Sequence, residues 1–170
     1  MKILGVLVAM VCVWTGGAGA QTADPAPWQG EFAACIAGRS GPDFLACVGR
    51  AADPCQDAPG GSTTVGMTAC FAMEADLWDA ELNRIWPALR KAAKAQDAVE
   101  ADVMGGAFAN FDDALLQAQR AWIAFRDAEC ALDYAQWGAG SMRSIAGAAC
   151  RMDMTAERVA RLSELAEFRH

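Results

Sequence analysis

Three polar residues recur at seven-residue intervals within one long segment that contains neither Gly nor Pro. Gln119, Arg126 and Asp133 fall at i, i+7 and i+14, and on a helix they lie within about 40° of one another. A guanidinium among apolar side chains is costly unless it is paired and hydrogen-bonded. We therefore expect a polar seam that contains Gln119, Trp122 and Arg126 and recruits a carboxylate from another helix.

Two chemical roles fit such a seam. It is either a structural salt-bridge network inside a helical core, or a groove in which these polar groups meet a ligand or a protein. In both cases the partner of Arg126 is expected on the preceding long helix, with Asp79 as the first candidate and Glu74 as the second. Arg126 should then be largely buried.

A second candidate site is a run of carboxylates. From Ala51 to Asn83 the chain has no Lys or Arg and carries Asp53, Asp57, Glu74, Asp76, Asp79 and Glu81. The run is either a solvated acidic face or a docking patch for a cationic partner. For the second role the predicted contact residues are Glu74, Asp76 and Glu81.

Catalytic and metal-binding patterns are weak. The single His is the last residue, His170, so a Ser-His-Asp or Cys-His arrangement lacks an internal imidazole. There is no C-x-x-C spacing for zinc. A glycosidase-like carboxylate pair is an alternative because acids are abundant, but nothing singles out two of them. We predict no catalytic residue, no metal and no cofactor.

The beginning of the chain resembles a secretory signal. A basic start at Lys2 is followed by a short apolar run and by Ala18-Gly19-Ala20, which predicts a signal peptide over residues 1–20 with cleavage after Ala20. The apolar run is shorter than a helix needs to span a membrane. Export predicts a periplasmic or secreted protein, and loss of Lys2 changes the net charge from −7 to −8. This charge argues against nucleic acid and anionic membranes and favours cationic proteins as partners.

Six cysteines remain after cleavage, and an even number in an exported chain indicates disulfides. Six cysteines allow 15 connectivities, so the pairing rests on turns. Each consecutive pair brackets one turn rich in Gly, Pro or Ser, as antiparallel neighbours would. The predicted bridges are Cys35–Cys47, Cys55–Cys70 and Cys130–Cys150.

Helical patterns account for the rest, and no stretch alternates long enough for a strand. Pro54 should end the second helix of a short hairpin, Pro87 should kink the first long helix, and Asn110 could cap the next. The apolar face of the first long helix includes Glu74. The predicted helices are Trp28–Ala37, Asp43–Ala52, Thr64–Gln96, Asp112–Trp137 and one from about Ser141 to Phe168. The broad face expected on the central helix contains Leu116, Trp122, Ile123, Phe125, Cys130, Leu132 and Trp137.

Three motifs together resemble the LprI-like lysozyme inhibitor N-terminal domain family. They are Asp79-x-x-Leu82-Asn83 followed by Trp86 and Leu89; Leu116-x-x-Gln119-x-x-Trp122-x-x-Phe125-Arg126-Asp127-x-x-Cys130; and Cys150-x-x-x-Met154-Thr155-x-x-Arg158-x-x-x-Leu162. The resemblance covers about Cys55 to Leu165. This chain departs from the family pattern at Trp86, where Tyr is usual, and at Pro87.

The resemblance implies an all-helical exported domain over residues 55–170, preceded by an added lead-in and helical hairpin over residues 21–54. We expect an all-α, disulfide-stapled bundle built on two or three long helices. The expected function is that of an exported, non-catalytic binding protein, an inhibitor of a cationic lysozyme-type hydrolase. The alternatives are a structural envelope protein without a soluble ligand and a carboxylate-based cell-wall hydrolase.

Overall fold

The computed structural model describes residues 22–167, so the predicted signal peptide lies outside the described part. All regular structure between residues 22 and 167 is helical and confirms the expected all-α bundle. The α-helices are α1 Gln29–Ile36, α2 Ala52–Asp57, α3 Thr64–Glu100, α4 Phe111–Ala135 and α5 Met142–Glu167. Two 3-10 segments cover Gly41–Cys47 and Val103–Gly106.

Helix α3 is the longest element and begins where the sequence predicted. The Thr63 side chain caps it by accepting a hydrogen bond from the Gly66 backbone N–H at 3.0 Å, as N-cap threonines do. The helix continues through Pro87 to Glu100. Gly66 allows the preceding loop to lie against α3, since a Cβ there would stand 2.1 Å from the carbonyl oxygen of Gly60.

The core is centred on Trp78 of α3, which is completely buried. Phe32 and Phe44 meet its ring edge-on, with centroids 4.8 and 6.2 Å away, an arrangement favoured by aromatic quadrupoles. The inner side of α5 joins the same cluster through Met152, Ala156, Val159 and Leu162. The N-terminal segment therefore shares one core with the long helices, and its status as a separate region stays a prediction.

The second helix of the N-terminal hairpin was predicted wrongly. Instead of an α-helix over Asp43–Ala52, the chain forms a 3-10 segment that ends at Cys47 and then starts α2 at Ala52. Pro54 does not end a helix but lies in the first turn of α2. Backbone N–H groups in a first turn have no intrahelical acceptor, so Pro loses nothing there.

All three predicted disulfides are confirmed. Cys35 bonds to Cys47, Cys55 to Cys70 and Cys130 to Cys150, with Cα atoms 5.8, 5.7 and 5.4 Å apart. Each bridge joins elements on the two sides of one turn. The third ties α4 to α5 near the ends that their connecting loop joins.

The apolar face predicted for α4 is mostly wrong. Its buried residues are Asp112, Leu115, Gln119 and Cys130, while Ile123, Phe125, Leu132 and Trp137 are 40–61% exposed. The reason is that α4 is covered on one side only, chiefly by α5 and less by α3. The broad apolar sector read from the sequence is therefore wider than the surface available to bury it.

The junction of α3 with α4 is held by carboxylates. Asp97 of α3 accepts hydrogen bonds from the backbone N–H groups of Phe111 and Asp112 at 2.7 and 2.9 Å. It thus replaces the expected cap, Asn110, whose side chain makes no capping bond. Arg90 donates to both oxygens of Asp112 at 2.7 and 2.6 Å. Hydrogen bonding from Arg90 holds the pKa of Asp112 below its usual value.

The lowered pKa of Asp112 makes a pH-dependent contribution to stability. Because the folded pKa lies below the unfolded value, the stabilisation is fully present above the unfolded pKa of about 3.9 and is lost as pH falls through the folded pKa. We expect the difference in urea-unfolding free energy between the wild type and Asp112→Asn to be constant near neutral pH and to shrink in acid. Arg90→Met should behave alike. The exposed pair Arg161–Glu164 supplies the control, Arg161→Met. A wild-type–mutant difference that persists undiminished in strong acid would contradict the assignment.

Candidate partner-binding surface

Glu74, a predicted partner contact, is instead fully buried. Its carboxylate accepts hydrogen bonds from the backbone N–H groups of Gly49, Ala51 and Ala52 at 2.7, 2.8 and 2.6 Å, and from Trp78 Nε1 at 3.1 Å. Charge-assisted bonds of this kind compensate for burying a carboxylate. Glu74 therefore binds the loop before α2 to α3, and it is available neither to a partner protein nor to Arg126.

Glu81, another predicted contact, is also buried, with 6% exposure. Arg84, one helical turn further along α3, donates to both of its oxygens from Nε at 2.6 Å and Nη2 at 2.5 Å. The Arg84 side chain is itself 68% exposed. The pair therefore presents a guanidinium, not a carboxylate, to solvent, and the prediction for Glu81 is wrong.

Only Asp76 and Asp79 of the predicted acidic run remain exposed on α3. Asp79 accepts a hydrogen bond from Asn83 Nδ2 at 2.9 Å. Burial, followed by the charge of Asp79, raises the pKa of Asp76, whereas Arg151 of α5 acts in the opposite direction. The sequence indicated a run without a base, but folding brings Arg151 close enough to cancel part of its field.

A second exposed carboxylate pair lies on α5 and was missed at the level of sequence. Asp153 and Glu157 are one turn apart, and both are exposed. Partial burial, then Glu157, then the buried Glu74 raise the pKa of Asp153. Among the residues that the structure describes, neither carboxylate forms an ion pair. The i, i+4 spacing of two acids was the available signal for this negative site.

The structure brings the residues of the predicted polar seam together, but no carboxylate from α3 joins them. The Arg126 side chain is 14% exposed, and its partner is its own neighbour Asp127, whose Oδ1 accepts from Nε at 3.1 Å and from Nη2 at 2.9 Å. The predicted pairing with Asp79 is wrong, because Asp79 lies on the solvent side of α3 and bonds Asn83.

The seam instead gains a second cation. Arg158 of α5 donates from Nε to Gln119 Oε1 at 2.9 Å. The Trp122 ring lies near both guanidinium groups, with Cζ of Arg126 at 5.0 Å and Cζ of Arg158 at 5.5 Å from its centroid. Burial and the nearby Arg161 lower the pKa of Arg158, whose buried Nη2 has no hydrogen-bond partner. Cation–π attraction therefore takes the place of the expected ion pair.

Between residues 22 and 167, no three His, Cys, Asp or Glu side chains are grouped in a way that could hold a metal ion. In the same range no helix has the length and hydropathy needed to cross a membrane. The described part of the chain is thus a helical body with three disulfides, and it presents two small acidic sites, one on α3 and one on α5.

Comparison with known proteins gives two matches. A family model described as "Lysozyme inhibitor LprI" matches residues 55–162. An uncharacterized protein of Rhizobium meliloti (strain 1021) is 32% identical over 126 residues, which cover 73% of this chain and 90% of that protein. No solved structure matches the chain.

The environment of Glu74 predicts a large effect of a small substitution. Glu74→Gln keeps the shape but replaces one acceptor oxygen with an amide donor that faces backbone N–H groups. We expect a loss of about 2–4 kcal/mol in unfolding free energy, because buried donors lose a charged acceptor. Urea denaturation measures this loss, and hydrogen exchange at Gly49, Ala51 and Ala52 should accelerate.

The matched control is Asp79→Asn on the exposed side of the same helix, which should change stability by no more than about 0.5 kcal/mol. Equal effects of the two substitutions would show that Glu74 does not hold the loop.

Proposed function

This chain belongs to the lysozyme inhibitor LprI family, and from that premise we propose that it is an exported, non-catalytic protein that binds and inhibits a cationic lysozyme-type hydrolase. The family match over residues 55–162 carries the proposal. Three disulfides support a site outside the cytoplasm, where such bridges persist. The net charge of −7 supports attraction to a basic partner.

We place the main contact on the α5 pair, Asp153 and Glu157. These carboxylates are exposed, and neither forms an ion pair among the described residues. Partial burial, then the charges of Glu157 and Glu74, raise the pKa of Asp153, and a nearby cation would act in the opposite direction. Asp76 is less suitable because Arg151 opposes its field. A guanidinium or ammonium of the partner would relieve the mutual repulsion of Asp153 and Glu157.

Rigidity supports the same placement. Asp153 lies three residues after Cys150, whose bridge to Cys130 fixes this part of α5 to α4. A contact presented on a helix that is already ordered loses little conformational freedom on binding. Because attraction between exposed charges mainly raises the association rate and is screened by salt, binding should be faster at low ionic strength.

The decisive experiment combines a lysis assay with binding kinetics. Purified, oxidised protein should slow the lysis of a cell-wall suspension by a cationic lysozyme. The double variant Asp153→Asn/Glu157→Gln should slow association by roughly tenfold at low ionic strength, and the difference from the wild type should narrow at physiological ionic strength.

The matched control removes the same charge elsewhere. Glu31 and Asp43 are exposed near the N-terminus, so Glu31→Gln/Asp43→Asn changes the net charge equally. We expect it to reduce the association rate far less. An equal reduction in the association rate would show that the net charge matters and that the position on α5 does not. If the wild type failed to inhibit lysis at low salt, the proposed function itself would be refuted.

The Asp153→Asn substitution should not destabilise the fold, and the direction of the pKa shift of Asp153 gives the reason. Because the folded protein raises the pKa of Asp153, it disfavours the ionised form, so an uncharged Asn should not lower stability. A cationic partner should favour the ionised carboxylate and should therefore lower the pKa of Asp153 on binding. Inhibition should therefore weaken as pH falls through the titration of Asp153.

A further inference from the structure

The outward side of α4 carries an unpartnered apolar stripe. Its members are separated alternately by four and three positions, and all are exposed: Ala114, Ala118, Ala121, Phe125, Ala128, Leu132 and Ala135. Phe125 and Leu132 are 57% and 61% exposed. We call these seven residues the outer stripe. A solvent-facing side of an amphipathic helix normally carries charged and polar residues, yet the outer stripe has none over its whole length.

The spacing of the outer stripe is that of a coiled-coil seam. Alternating steps of three and four residues keep side chains in line along one side of a helix, where they fit between the side chains of a second helix. The two bulky members, Phe125 and Leu132, occupy the same heptad position a, together with Ala118. All members at position d are alanine. The charged residues Arg120, Asp127 and Glu129 lie outside the stripe.

We propose that the outer stripe binds the outer stripe of a second copy of this chain, with the two α4 helices antiparallel around a two-fold axis. In an antiparallel pair, position a of one helix faces position d of the other, so each bulky residue meets an alanine. Layers that alternate large with small side chains interdigitate without voids. A parallel pair would instead oppose Phe125 to Phe125 and Leu132 to Leu132. The stripe is therefore complementary to itself, as an isologous interface requires.

Net charge restricts where two copies can approach each other. Two copies that each carry a net charge of −7 repel one another over most of their surface. The outer stripe lets them approach along a strip with no carboxylate in it, and Glu129 is the nearest acid beside it on the helix. The proposed contact also lies on a different helix from Asp153 and Glu157, so it leaves the α5 pair accessible.

The available area sets the strength of the contact. A helix of 25 residues is about 37 Å long and, with side chains, about 10 Å wide, so each copy offers a few hundred Å². Stable interfaces bury about 800 Å² per partner. We therefore expect a reversible dimer that dissociates on dilution, not a permanent one.

Sedimentation velocity over a wide range of protein concentrations tests the association. The wild type should shift from monomer to dimer. Phe125→Glu and Leu132→Glu should each raise the dissociation constant by more than roughly tenfold, because a carboxylate would be buried in the seam without a partner. Ala128→Glu is a third variant for which little native packing is lost.

The matched control is Val99→Glu on α3. Val99 is an apolar residue that is 74% exposed. It lines a groove between α3 and α5 and does not belong to the outer stripe. It should leave the dissociation constant unchanged. A wild type that is monomeric throughout overturns the proposal, as does a dimer that persists in the three stripe variants or dissociates equally in Val99→Glu.

The orientation is tested by a distance measurement between spin labels. Asp113 is exposed at the start of α4, and Asp113→Cys provides one labelling site per copy. Antiparallel helices with six matched layers place the two labelled positions about 30–40 Å apart, from a rise of about 1.5 Å per residue. A parallel pair would place them about 10 Å apart, and that result would overturn the antiparallel arrangement.

Discussion

The structure depends on one buried carboxylate. Glu74 gathers three backbone N–H groups of the loop before α2 and the indole N–H of Trp78. These contacts connect the N-terminal segment to α3 at the level of the central tryptophan. Separating these buried N–H groups from the carboxylate would leave them without an acceptor, which costs far more free energy than the net value of the bonds. Glu74 therefore constrains the N-terminal segment and α3 together. The region that precedes the family domain is thus fastened to it by more than apolar contact with Phe32 and Phe44.

The interface of α4 with α5 uses a different solution to the cost of buried charge. Arg126 and Arg158 both lie against Trp122, and Gln119 supplies a neutral acceptor. No carboxylate from α3 takes part. An indole face attracts cations without bringing a second charge that needs its own solvation. Arg126 also pairs with its neighbour Asp127, whereas Arg158 has only Gln119 and the indole face.

Most features encoded within short stretches of sequence were predictable, apart from the helix expected over Asp43–Ala52 and the cap expected at Asn110. Features that require knowledge of the neighbouring helix were not predictable. The start of α3, the three disulfides and the burial of Arg126 follow from local signals such as turns and seven-residue spacing. The partner of Arg126 depends on which helix lies beside α4, and that helix is α5. Glu74 and Asp76 stand two positions apart, yet rotation of about 200° around α3 sends one to the core and the other to solvent. The apolar face that already contained Glu74 was the better guide than the acidic run.

The order of the disulfides along the chain has a consequence for biogenesis. The six cysteines of the described fold bond in three consecutive pairs, at separations of 12, 15 and 20 residues, and no disulfide loop encloses another. A polypeptide that enters an oxidising compartment N-terminus first therefore exposes every native pair before the following pair arrives. Oxidation in order of appearance would yield the native connectivity directly, without thiol–disulfide reshuffling.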